Sequence, residues 1–600
     1  MSTLSASVEE LRVNRRQWEA FTTVGHCVVI APPGSGKTKL LTTRLAYDLR
    51  NRIPNPHGAA CITLTNAATD EIRRRVDRLG VERRPNLFIG TVHAFALGRI
   101  ISPFARVVGR PQLQNMSIAS SEQSKQAYEQ AIDDVFSPNE DTRSVRSTIE
   151  ILRQRLATQE QWARSGPKIQ QVAQRQQDLL RAQGLHDFLD VVALAVEMVE
   201  QHRVVRQTLT AQYPNLYVDE YQDLAPGLDR LVRALCFDYV ANAELFAVGD
   251  VDQAVFGFTG TRPELLTELA EHFDVTPVLL EHNYRCGQEI IRIANLMRQG
   301  KPAILGDRLG GSVSATRCPG GFAQQCEQAA GTVSDAHARG VALHEIAIIC
   351  PTNDQCEEAA DVLRRVGIPA IVRGSEYRLT PVTAFIEGCA AWSTLGQERS
   401  SYRLGDLLDR WRKIIGERWQ RTDDVALAKL LMAFDQCANE PANQLVSALG
   451  EVGLAEALQR LPLADDQTEV LRMSRALTVG PLRTLSVRQL AERAQKSDRV
   501  TVTTMTSSKG LEFDIVLILG IDEECVPHYL SVSDPKLIEE DRRKLYVSLT
   551  RARDQVRIFY SGFVVTKWGR RKYLGPSRFL RQIGLVQRVH PVIYDVATRR

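Results

Sequence analysis

The sequence predicts an α/β protein with two doubly wound parallel sheets, each interrupted by a mainly helical insertion. Two sets of short apolar runs support this prediction, because each run is typical of a buried strand and helical patterns lie between the runs. Most runs end in polar residues or glycine, as expected where ligands gather at the carboxyl ends of parallel strands. Two long stretches carry only helical patterns, which predicts the insertions.

The predicted domains follow from the order of these runs. The first α/β domain comprises residues 1–104 and 211–283, with runs at residues 27–30, 60–64, 88–89, 216–218, 245–248 and 278–280. The second comprises residues 284–394 and 499–565, with runs at residues 312–316, 346–350, 370–372, 500–504, 515–519 and 556–560. The helical insertions are predicted at residues 105–210 and 395–498, and a basic segment follows at residues 566–600.

The composition is that of a soluble globular protein. Of the 600 residues, 44% are apolar and 24% are charged, which suits several packed domains. No run approaches the roughly 18 apolar residues that a membrane-spanning helix needs, and no secretory signal pattern opens the chain. The eleven cysteines form no C-x-x-C pair, so we expect no zinc or iron–sulfur site, and reduced thiols in a cytoplasmic protein.

A phosphate-binding loop is predicted directly after the first apolar run. Its small or compact residues let the backbone approach a ligand, and Lys37 and Thr38 then open an amphipathic helix. In such a loop, N–H groups face the phosphates, lysine reaches the β- and γ-groups, and threonine ligates Mg²⁺. The loop residues are Ala31, Pro32, Pro33, Gly34, Ser35 and Gly36. The strict pattern begins with glycine where this chain has Ala31, but Gly34 and Gly36 keep the tight positions.

Two adjacent acids, Asp219 and Glu220, end the apolar run at residues 216–218. Alone, this pair is more simply explained as a solvated acidic turn, because charged side chains are rarely buried without a partner. The phosphate loop changes that balance, since a strand-end acid holds Mg²⁺ in proteins of this type. We therefore predict that Asp219 binds Mg²⁺ and that Glu220 is the general base for the attacking water.

Six further polar motifs follow apolar runs or flank helices. They are TLTNAATDE, GTVHAF, GDVDQ, HNYR, KGLEF and YVSLTRAR. Together with the phosphate loop and the acids, this series resembles the UvrD/Rep branch of superfamily 1 helicases, with the motifs in the family order. The resemblance covers about two thirds of the chain and implies two RecA-like domains that use ATP and Mg²⁺.

The resemblance implies three contacts to the adenosine of ATP. Gln17, in an Asn14-x-x-Gln17 pattern, is similar to the family's adenine-reading glutamine, and an amide suits adenine because it donates and accepts in one plane. Tyr284 of HNYR is expected to stack on the base, and Glu512 of KGLEF is expected near the ribose.

The resemblance also implies three contacts to the phosphates. Gln253 of GDVDQ is expected to sense the γ-phosphate, and Arg285 and Arg551 are expected to be arginine fingers. A cation at the equatorial oxygens of a transferring phosphoryl group is worth about 10³–10⁵ in rate. Because both arginines lie in or just before the second α/β region, we expect ATP between the domains.

Single-stranded DNA is the second implied ligand. The resemblance assigns strand contacts to Thr65, Asn66, Thr91 and His93. Phe256 and Phe258 alternate with Gly257 in a polar loop, so we expect them to stack on bases rather than to fill the core. The chain departs from the family at Thr259, often arginine there, and at Thr506, usually histidine there. The second insertion is also shorter than in fuller members.

The basic segment is a further candidate DNA contact. Residues 566–600 contain nine Lys or Arg against one Asp, and Trp568, Tyr573 and Phe579 interleave with them. A solvated basic tail explains the pattern equally well.

Two functions remain open at this point. One is an ATP-driven 3′→5′ helicase or translocase on single-stranded and forked DNA, with the polarity taken from the resemblance. The other is an ATP-gated DNA sensor or loader that works with a nuclease partner, for example in phage defence, without processive unwinding. A fused nuclease is disfavoured, because only 39 residues follow Ser561. No membrane partner is expected.

Overall fold

The computed structural model describes residues 3–81, 84–238, 242–257, 260–298, 300–373, 377, 379–399, 402–460, 464–480, 482–494, 498–565 and 569–586. The chain divides into two compact units. The first comprises Met1–Ala31, Gly36–Leu280 and Gly374–Ser497, and the second comprises Pro32–Ser35, Glu281–Arg373 and Asp498–Arg600.

The strands are numbered in chain order. They are β1 (His26–Ile30), β2 (Ala59–Thr63), β3 (Leu87–Thr91), β4 (Ser117–Ile118), β5 (Leu185–His186), β6 (Asn215–Val218), β7 (Glu244–Gly249), β8 (Val275–Leu279), β9 (Ser312–Arg317), β10 (Ile346–Cys350), β11 (Ala370–Val372), β12 (Val500–Thr504), β13 (Phe513–Ile518), β14 (Ala552–Tyr560), β15 (Phe563–Val565) and β16 (Arg571–Tyr573).

The α-helices are numbered in the same way. They are α1 (Thr3–Arg12), α2 (Arg15–Thr22), α3 (Lys37–Asn51), α4 (Asn66–Arg78), α5 (Val92–Phe95), α6 (Ser102–Phe104), α7 (Ser121–Val135), α8 (Val145–Gln154), α9 (Gln159–Ser165), α10 (Pro167–Ala182), α11 (Phe188–Gln201), α12 (Arg203–Gln212), α13 (Pro226–Cys236), α14 (Glu264–Ala270), α15 (Gln288–Met297), α16 (Phe322–Ala338), α17 (Asn353–Arg365), α18 (Pro381–Arg399), α19 (Leu404–Ile415), α20 (Arg421–Ala433), α21 (Ala442–Leu449), α22 (Ala455–Leu458), α23 (Ala464–Thr478), α24 (Val487–Ala494), α25 (Pro535–Leu549) and α26 (Arg578–Gln582).

The first unit contains a six-stranded parallel sheet in the order β3-β2-β6-β7-β1-β8. Both faces of this sheet are buried. Successive residues of β1 show this, because Val28 packs in one apolar cluster and Cys27 and Val29 pack in another. Strands buried on both faces must be apolar along their whole length, which explains why the sequence shows continuous apolar runs rather than alternation.

The second unit contains another six-stranded parallel sheet, in the order β11-β12-β10-β13-β14-β9. Every residue of its central strand β10 is buried. The prediction of an α/β fold with two parallel sheets is therefore confirmed.

The first unit also holds the two helical stretches. Helices α7–α12 occupy the first: two small apolar cores and the short β4–β5 pair hold α7–α10, whereas α11 and α12 pack into the core of the first sheet. Helices α18–α24 share one core that contains Phe385, Trp411 and Leu427. This core begins at Tyr377, whereas the helical pattern of the sequence predicts a second insertion from residue 395. Helix α18 spans that predicted boundary, and its buried side chains before residue 395, such as Phe385, pack in the helical core.

The basic segment is folded where the structure describes it. Strands β15 and β16 form an antiparallel pair, and α26 follows. None of the helices among the described residues has the length and apolar character needed to cross a membrane.

Candidate nucleotide and nucleic-acid sites

The phosphate loop leaves the carboxyl end of β1. The Ala31 N–H donates to Gly249 O at 2.9 Å, which ties the start of the loop to the end of β7. Gly36 has a φ of +84°, and α3 begins at the next residue, Lys37. No side chain among the described residues caps this end of α3. A helix N-terminus without a side-chain cap is suited to an anion, because its first N–H groups have no acceptor within the helix.

Lys37 has an environment that favours a phosphate ligand. Its side chain is 9% exposed, and its Nζ has no hydrogen-bond acceptor among the described residues. Glu220 Oε2 lies 3.8 Å from Nζ, which is an ion pair but too long for a hydrogen bond. A buried cation without an acceptor is costly, so oxygens supplied by a ligand would complete this site.

The two predicted acids lie at the end of β6. The Asp219 N–H continues the sheet by donating to Ile62 O at 3.0 Å, and the Glu220 N–H donates to Asp219 Oδ1 at 3.0 Å. Glu220 has a φ of +52°, a left-handed conformation that costs roughly 1–2 kcal/mol in a residue with a Cβ. Gln222 Nε2 donates to Glu220 Oε2 at 2.6 Å and so orients the carboxylate. Strain of this kind concentrates at functional sites.

A second acidic group follows β7 and joins this cluster. Gln253 Nε2 donates to Asp250 Oδ2 at 2.7 Å, and the Asp250 N–H donates to Gln222 Oε1 at 2.9 Å. Burial, reinforced by the charge of Asp252, raises the pKa of Asp250, while the charge of Lys37 acts in the opposite direction. Within this group, the family resemblance predicts a role only for Gln253. Gln222 stands two residues after Glu220 and Asp250 belongs to the motif GDVDQ, but nothing in their positions along the chain indicates that they meet.

Four loop residues, Pro32–Ser35, belong to the second unit. Asn283 Nδ2 donates to Pro33 O at 2.7 Å, and the Tyr284 N–H donates to Gly34 O at 2.9 Å. Gly34 has a φ of +70°, and a Cβ there would lie 2.8 Å from Arg285 Cβ and from Asn283 Oδ1. Only glycine fits this position. Asn283, which the sequence analysis did not assign, also positions the next residues, because its Oδ1 accepts from the Arg285 N–H at 2.8 Å.

Arg285 points its guanidinium at Glu512 in the second unit. Nε donates to Glu512 Oε2 at 2.9 Å, and Nη1 donates to Thr550 O at 3.3 Å. Burial raises the pKa of Glu512, but the charges of Arg285 and Arg553 outweigh it, so the pKa lies below its usual value. The carboxylate that the resemblance places near the ribose is therefore paired with a predicted arginine finger.

Arg551 is buried in the second unit, with 2% of its surface exposed. Its Nε donates to Val547 O at 2.9 Å and its Nη1 to Leu511 O at 3.3 Å. These bonds fix the guanidinium within its own unit.

The residues predicted to contact adenosine lie in different units. In the first unit, Gln17 is buried on α2, and a Cβ on Gly36 would lie 3.1 Å from Gln17 Nε2. Asn14 Oδ1 accepts from the N–H groups of Arg16 and Gln17, so Asn14 caps α2. In the second unit, the Tyr284 ring is 51% exposed, and exposure is what stacking on a base requires.

The predicted DNA contacts lie after β2 and β3. Thr65 caps α4 by accepting from Ala68 N–H at 3.2 Å, and Thr91 caps α5 by accepting from Ala94 N–H at 3.3 Å. Burial lowers the pKa of His93, whose ring lies 5.2 Å from that of Phe188.

The remaining predicted DNA contacts are only partly described. The Phe256 side chain is half-buried. The side chain of Asn66 and the whole of Phe258 lie outside the described residues, as does the departure at Thr259.

Part of the basic segment differs from the prediction. Phe579, on α26, is buried with 2% of its surface exposed, so it is not available to stack on nucleic acid. The spacing of aromatic and basic residues could not separate a core ring from a surface ring. Tyr573 is exposed, and Lys572 Nζ donates to both carboxylate oxygens of Glu524 at 2.7 Å. Lys567 and Trp568 lie outside the described residues.

Within the described part of the chain, the first unit offers a buried lysine amine without an acceptor, 3.8 Å from a Glu220 carboxylate oxygen, and a helix N-terminus without a side-chain cap. These features fit the phosphates of ATP, and the Asp219 carboxylate is an oxygen ligand of the kind that Mg²⁺ takes. All eleven cysteines are unpaired thiols, and no cluster of three or more His, Cys, Asp or Glu side chains suited to a metal occurs within the described residues.

Two family models of helicase domains match the chain. The model of the UvrD/REP helicase N-terminal domain matches residues 13–274, and the model of the UvrD-like helicase C-terminal domain matches residues 457–562. Together these matches cover more than half of the chain.

Several curated proteins are similar over nearly the whole chain. The ATP-dependent DNA helicase UvrD2 of Mycobacterium tuberculosis is 27% identical over 619 residues, which cover 95% of this chain and 81% of that protein. UvrD1 of the same species is 25% identical over 672 residues, with 95% and 85% covered. The ATP-dependent DNA helicase PcrA of Staphylococcus epidermidis is 25% identical over 644 residues, with 95% and 86% covered.

Proposed function

Because the chain belongs to the UvrD/Rep-like family of superfamily 1 helicases, we propose that it is an ATP-dependent DNA helicase that moves 3′→5′ on single-stranded DNA. The observation that carries the proposal is the buried Lys37 Nζ, which has no acceptor among the described residues and lies 3.8 Å from Glu220 Oε2 at the carboxyl edge of a parallel sheet. Ligands bind at that edge in open α/β sheets, and this site needs an anion.

Four residues of the first unit handle the phosphates. Mg²⁺, held by Thr38 and Asp219, would neutralise charge on the phosphates of bound ATP. Lys37 supplies a point charge to the β- and γ-phosphates. Glu220 accepts a proton from the attacking water, and its bond to Gln222 supports this role because a base must be held in one orientation.

Three further residues respond to the γ-phosphate. Gln253 senses it, and the short bond to Asp250 that fixes the Gln253 amide supports this assignment. Arg285 and Arg551 supply positive charge to the transition state. The fixed guanidinium of Arg551 is consistent with a preorganised charge, which needs no rearrangement when the reaction occurs.

The adenosine is held by Gln17, Tyr284 and Glu512. Gln17 reads the adenine edge through its amide, and Tyr284 stacks on the ring. The exposed Tyr284 ring supports the stacking role. Glu512 is assigned to the ribose from the family resemblance alone.

Single-stranded DNA is gripped at the ends of β2 and β3 and by the loop after β7. Thr65, Asn66, Thr91 and His93 contact the strand, and Phe256 and Phe258 stack on its bases. The N-terminus of α4, directly after β2, supports a phosphate contact there. The lowered pKa of His93 favours a neutral imidazole, which would bond to the strand rather than pair with its charge.

An ATP-gated sensor or loader with a nuclease partner is not favoured, because the similar proteins are named as helicases. Strand displacement on forked DNA by the isolated chain separates the two functions. A helicase separates the strands in an ATP-dependent reaction, whereas a sensor hydrolyses ATP and leaves the fork intact.

The nucleotide site is tested by ATPase assays with and without single-stranded DNA. We expect Mg²⁺-dependent hydrolysis that DNA stimulates, and a loss of both in Lys37→Ala. The matched control is Lys39→Ala, two residues along the same helix, whose amine pairs with Glu10 at the surface. Wild-type turnover in Lys37→Ala would contradict the placement of the site.

A further inference from the structure

Glu512 lies between two arginines in the second unit. Its Oε2 accepts from Arg285 Nε at 2.9 Å, and its Oε1 accepts from Arg553 Nη2 at 3.0 Å. The two guanidiniums therefore hold one carboxylate from opposite oxygens. Such a carboxylate has fewer accessible rotamers than one with a single partner, because both of its oxygens are fixed.

The bond to Glu512 helps to fix the orientation of the whole Arg285 guanidinium. Nε is directed to Glu512 and Nη1 to Thr550 O, while Nη2 has no hydrogen-bond acceptor among the described residues. The guanidinium is a rigid planar fork, so fixing Nε and Nη1 also fixes the direction of Nη2. One edge of Arg285 is thus held by protein and the remaining amine is left for a ligand.

Arg553 is itself anchored through its other terminal amine. Its Nη1 donates to Glu345 Oε2 at 2.7 Å and to Asp514 Oδ1 at 2.8 Å. Its carbonyl accepts from the Gly287 N–H at 2.8 Å, two residues after Arg285. Three carboxylates therefore fix the Arg553 guanidinium, and it can act as a support rather than as a mobile surface charge.

We propose that Arg553 is a positioning residue for Arg285 and acts through Glu512. The inference rests on the proposed role of Arg285 as an arginine finger. Arg553 holds Glu512 in the rotamer that orients Arg285, and Arg285 Nη2 is left to donate to a phosphate oxygen of bound ATP. A ribose contact by Glu512 is compatible with this role, because a carboxylate oxygen accepts more than one hydrogen bond.

The test is a double-mutant cycle on DNA-stimulated ATP hydrolysis. We expect Arg553→Gln to lower kcat roughly ten- to hundredfold, as misplacement of a catalytic group does, with little change in the KM for ATP. Glu512→Gln should have a similar effect. The double variant should fall no further than the more impaired single variant, because both substitutions break the same chain of hydrogen bonds.

Two further variants complete the experiment. Arg553→Lys keeps a cation among the three carboxylates but loses the fork, so it should recover part of kcat, and it serves as the test if Arg553→Gln does not fold. Arg308→Gln removes a surface arginine paired with Asp554, the residue after Arg553, and should keep wild-type kcat.

The outcomes separate this inference from the proposed function. Multiplicative losses in the double variant, or a full kcat in Arg553→Gln, would overturn the positioning role, while ATP hydrolysis by the wild-type chain would leave the proposed nucleotide site standing. A wild-type chain without ATPase activity would overturn both.

Discussion

The two units treat their candidate cations in opposite ways. In the first, Lys37 Nζ is buried, lacks an acceptor among the described residues and stands 3.8 Å from the Glu220 carboxylate. In the second, Arg285 already donates to Glu512 and Thr550, and Arg553 donates to three carboxylates. The lysine site is incomplete without a ligand, whereas the arginine site is complete apart from one amine of Arg285.

This difference separates binding from positioning. A buried cation without an acceptor is stabilised most by a bound anion, because the anion removes the free-energy cost of the unpaired charge. A cation that is already paired gains less from the ligand, and its partners serve to aim it. Substitutions at the lysine site should therefore act on binding and chemistry directly, and substitutions at the arginine site should act mainly on turnover.

The largest expected effect is that of Glu220→Gln in the first unit. The amide keeps the size of the side chain and removes the base, so kcat should fall about 10²–10⁴-fold while ATP and DNA still bind. Single-turnover hydrolysis and nucleotide binding measure the two parts. Glu271→Gln, an exposed acid after α14, is the matched control. Loss of ATP binding in Glu220→Gln would instead make Glu220 a ligand and reverse its role with Asp219.

The next effect is that of Gly34→Ala in the part of the loop that belongs to the second unit. The new Cβ would lie 2.8 Å from two side-chain atoms, so kcat/KM for ATP should fall roughly tenfold to a hundredfold. Gly80→Ala is a close control, because Gly80 has a φ of +72° but has no described atom within 4 Å of the added Cβ. Equal losses of kcat/KM in the two variants would mean that backbone strain, and not the close contact of the new Cβ, causes the effect.

A smaller effect is expected from Phe256→Ala. Loss of base stacking should weaken single-stranded DNA binding by about 1–3 kcal/mol, with little dependence on sequence. Fluorescence anisotropy with several homopolymers measures it. Phe273→Ala removes a ring that is 88% exposed in the same unit and should leave DNA affinity unchanged. Unchanged DNA binding in Phe256→Ala would contradict base stacking by this ring, and stacking would then be tested at Phe258.

The basic segment should contribute less still. Replacing Arg571 and Lys572 by Gln should lower DNA affinity and flatten its salt dependence, by up to about 0.9 in log–log slope for each phosphate that the variant no longer neutralises. The variant with Gln at Arg364 and Arg365 is the control, since these adjacent cations are exposed in the same unit. An unchanged slope would mean that the segment is a solvated surface. The segment lies beyond the last nucleotide motif, so we expect the ATPase rate without DNA to stay unchanged, and an altered rate would contradict this expectation.

The smallest effect concerns the stability cost of the acidic cluster. Burial and the charge of Asp252 raise the pKa of Asp250, so the folded chain binds this proton more tightly than the unfolded chain does. The stability that this group contributes is present at low pH and is lost as pH rises through its folded pKa. Asp250→Asn cannot ionise, so its Tm relative to wild type should increase from acid to neutral pH. A Tm difference that does not change with pH would contradict the assignment of this effect to the ionisation of Asp250.

The sequence determined the parts of this protein that depend on neighbouring residues. The apolar runs predicted both parallel sheets because strands buried on two faces admit few polar side chains. The loop residues from Ala31 to Gly36 stand directly between β1 and α3, as predicted, because glycines and a helix start are local signals. Placing Asp219 and Glu220 at the end of β6 required only the point where the apolar run stops.

Only the tertiary structure decided which side chains meet. Glu512 joins Arg285 across 227 positions, and Asp250 joins Gln222 across 28. Phe579 enters the core although its neighbours are basic, and α18 joins the helical core rather than the second sheet. These outcomes arise from how separate elements pack, and a pattern that repeats along the chain carries no information on that packing. The tertiary structure also decided that Lys37 has no hydrogen-bond acceptor among the described residues, because this can be established only when the positions of its neighbours are known.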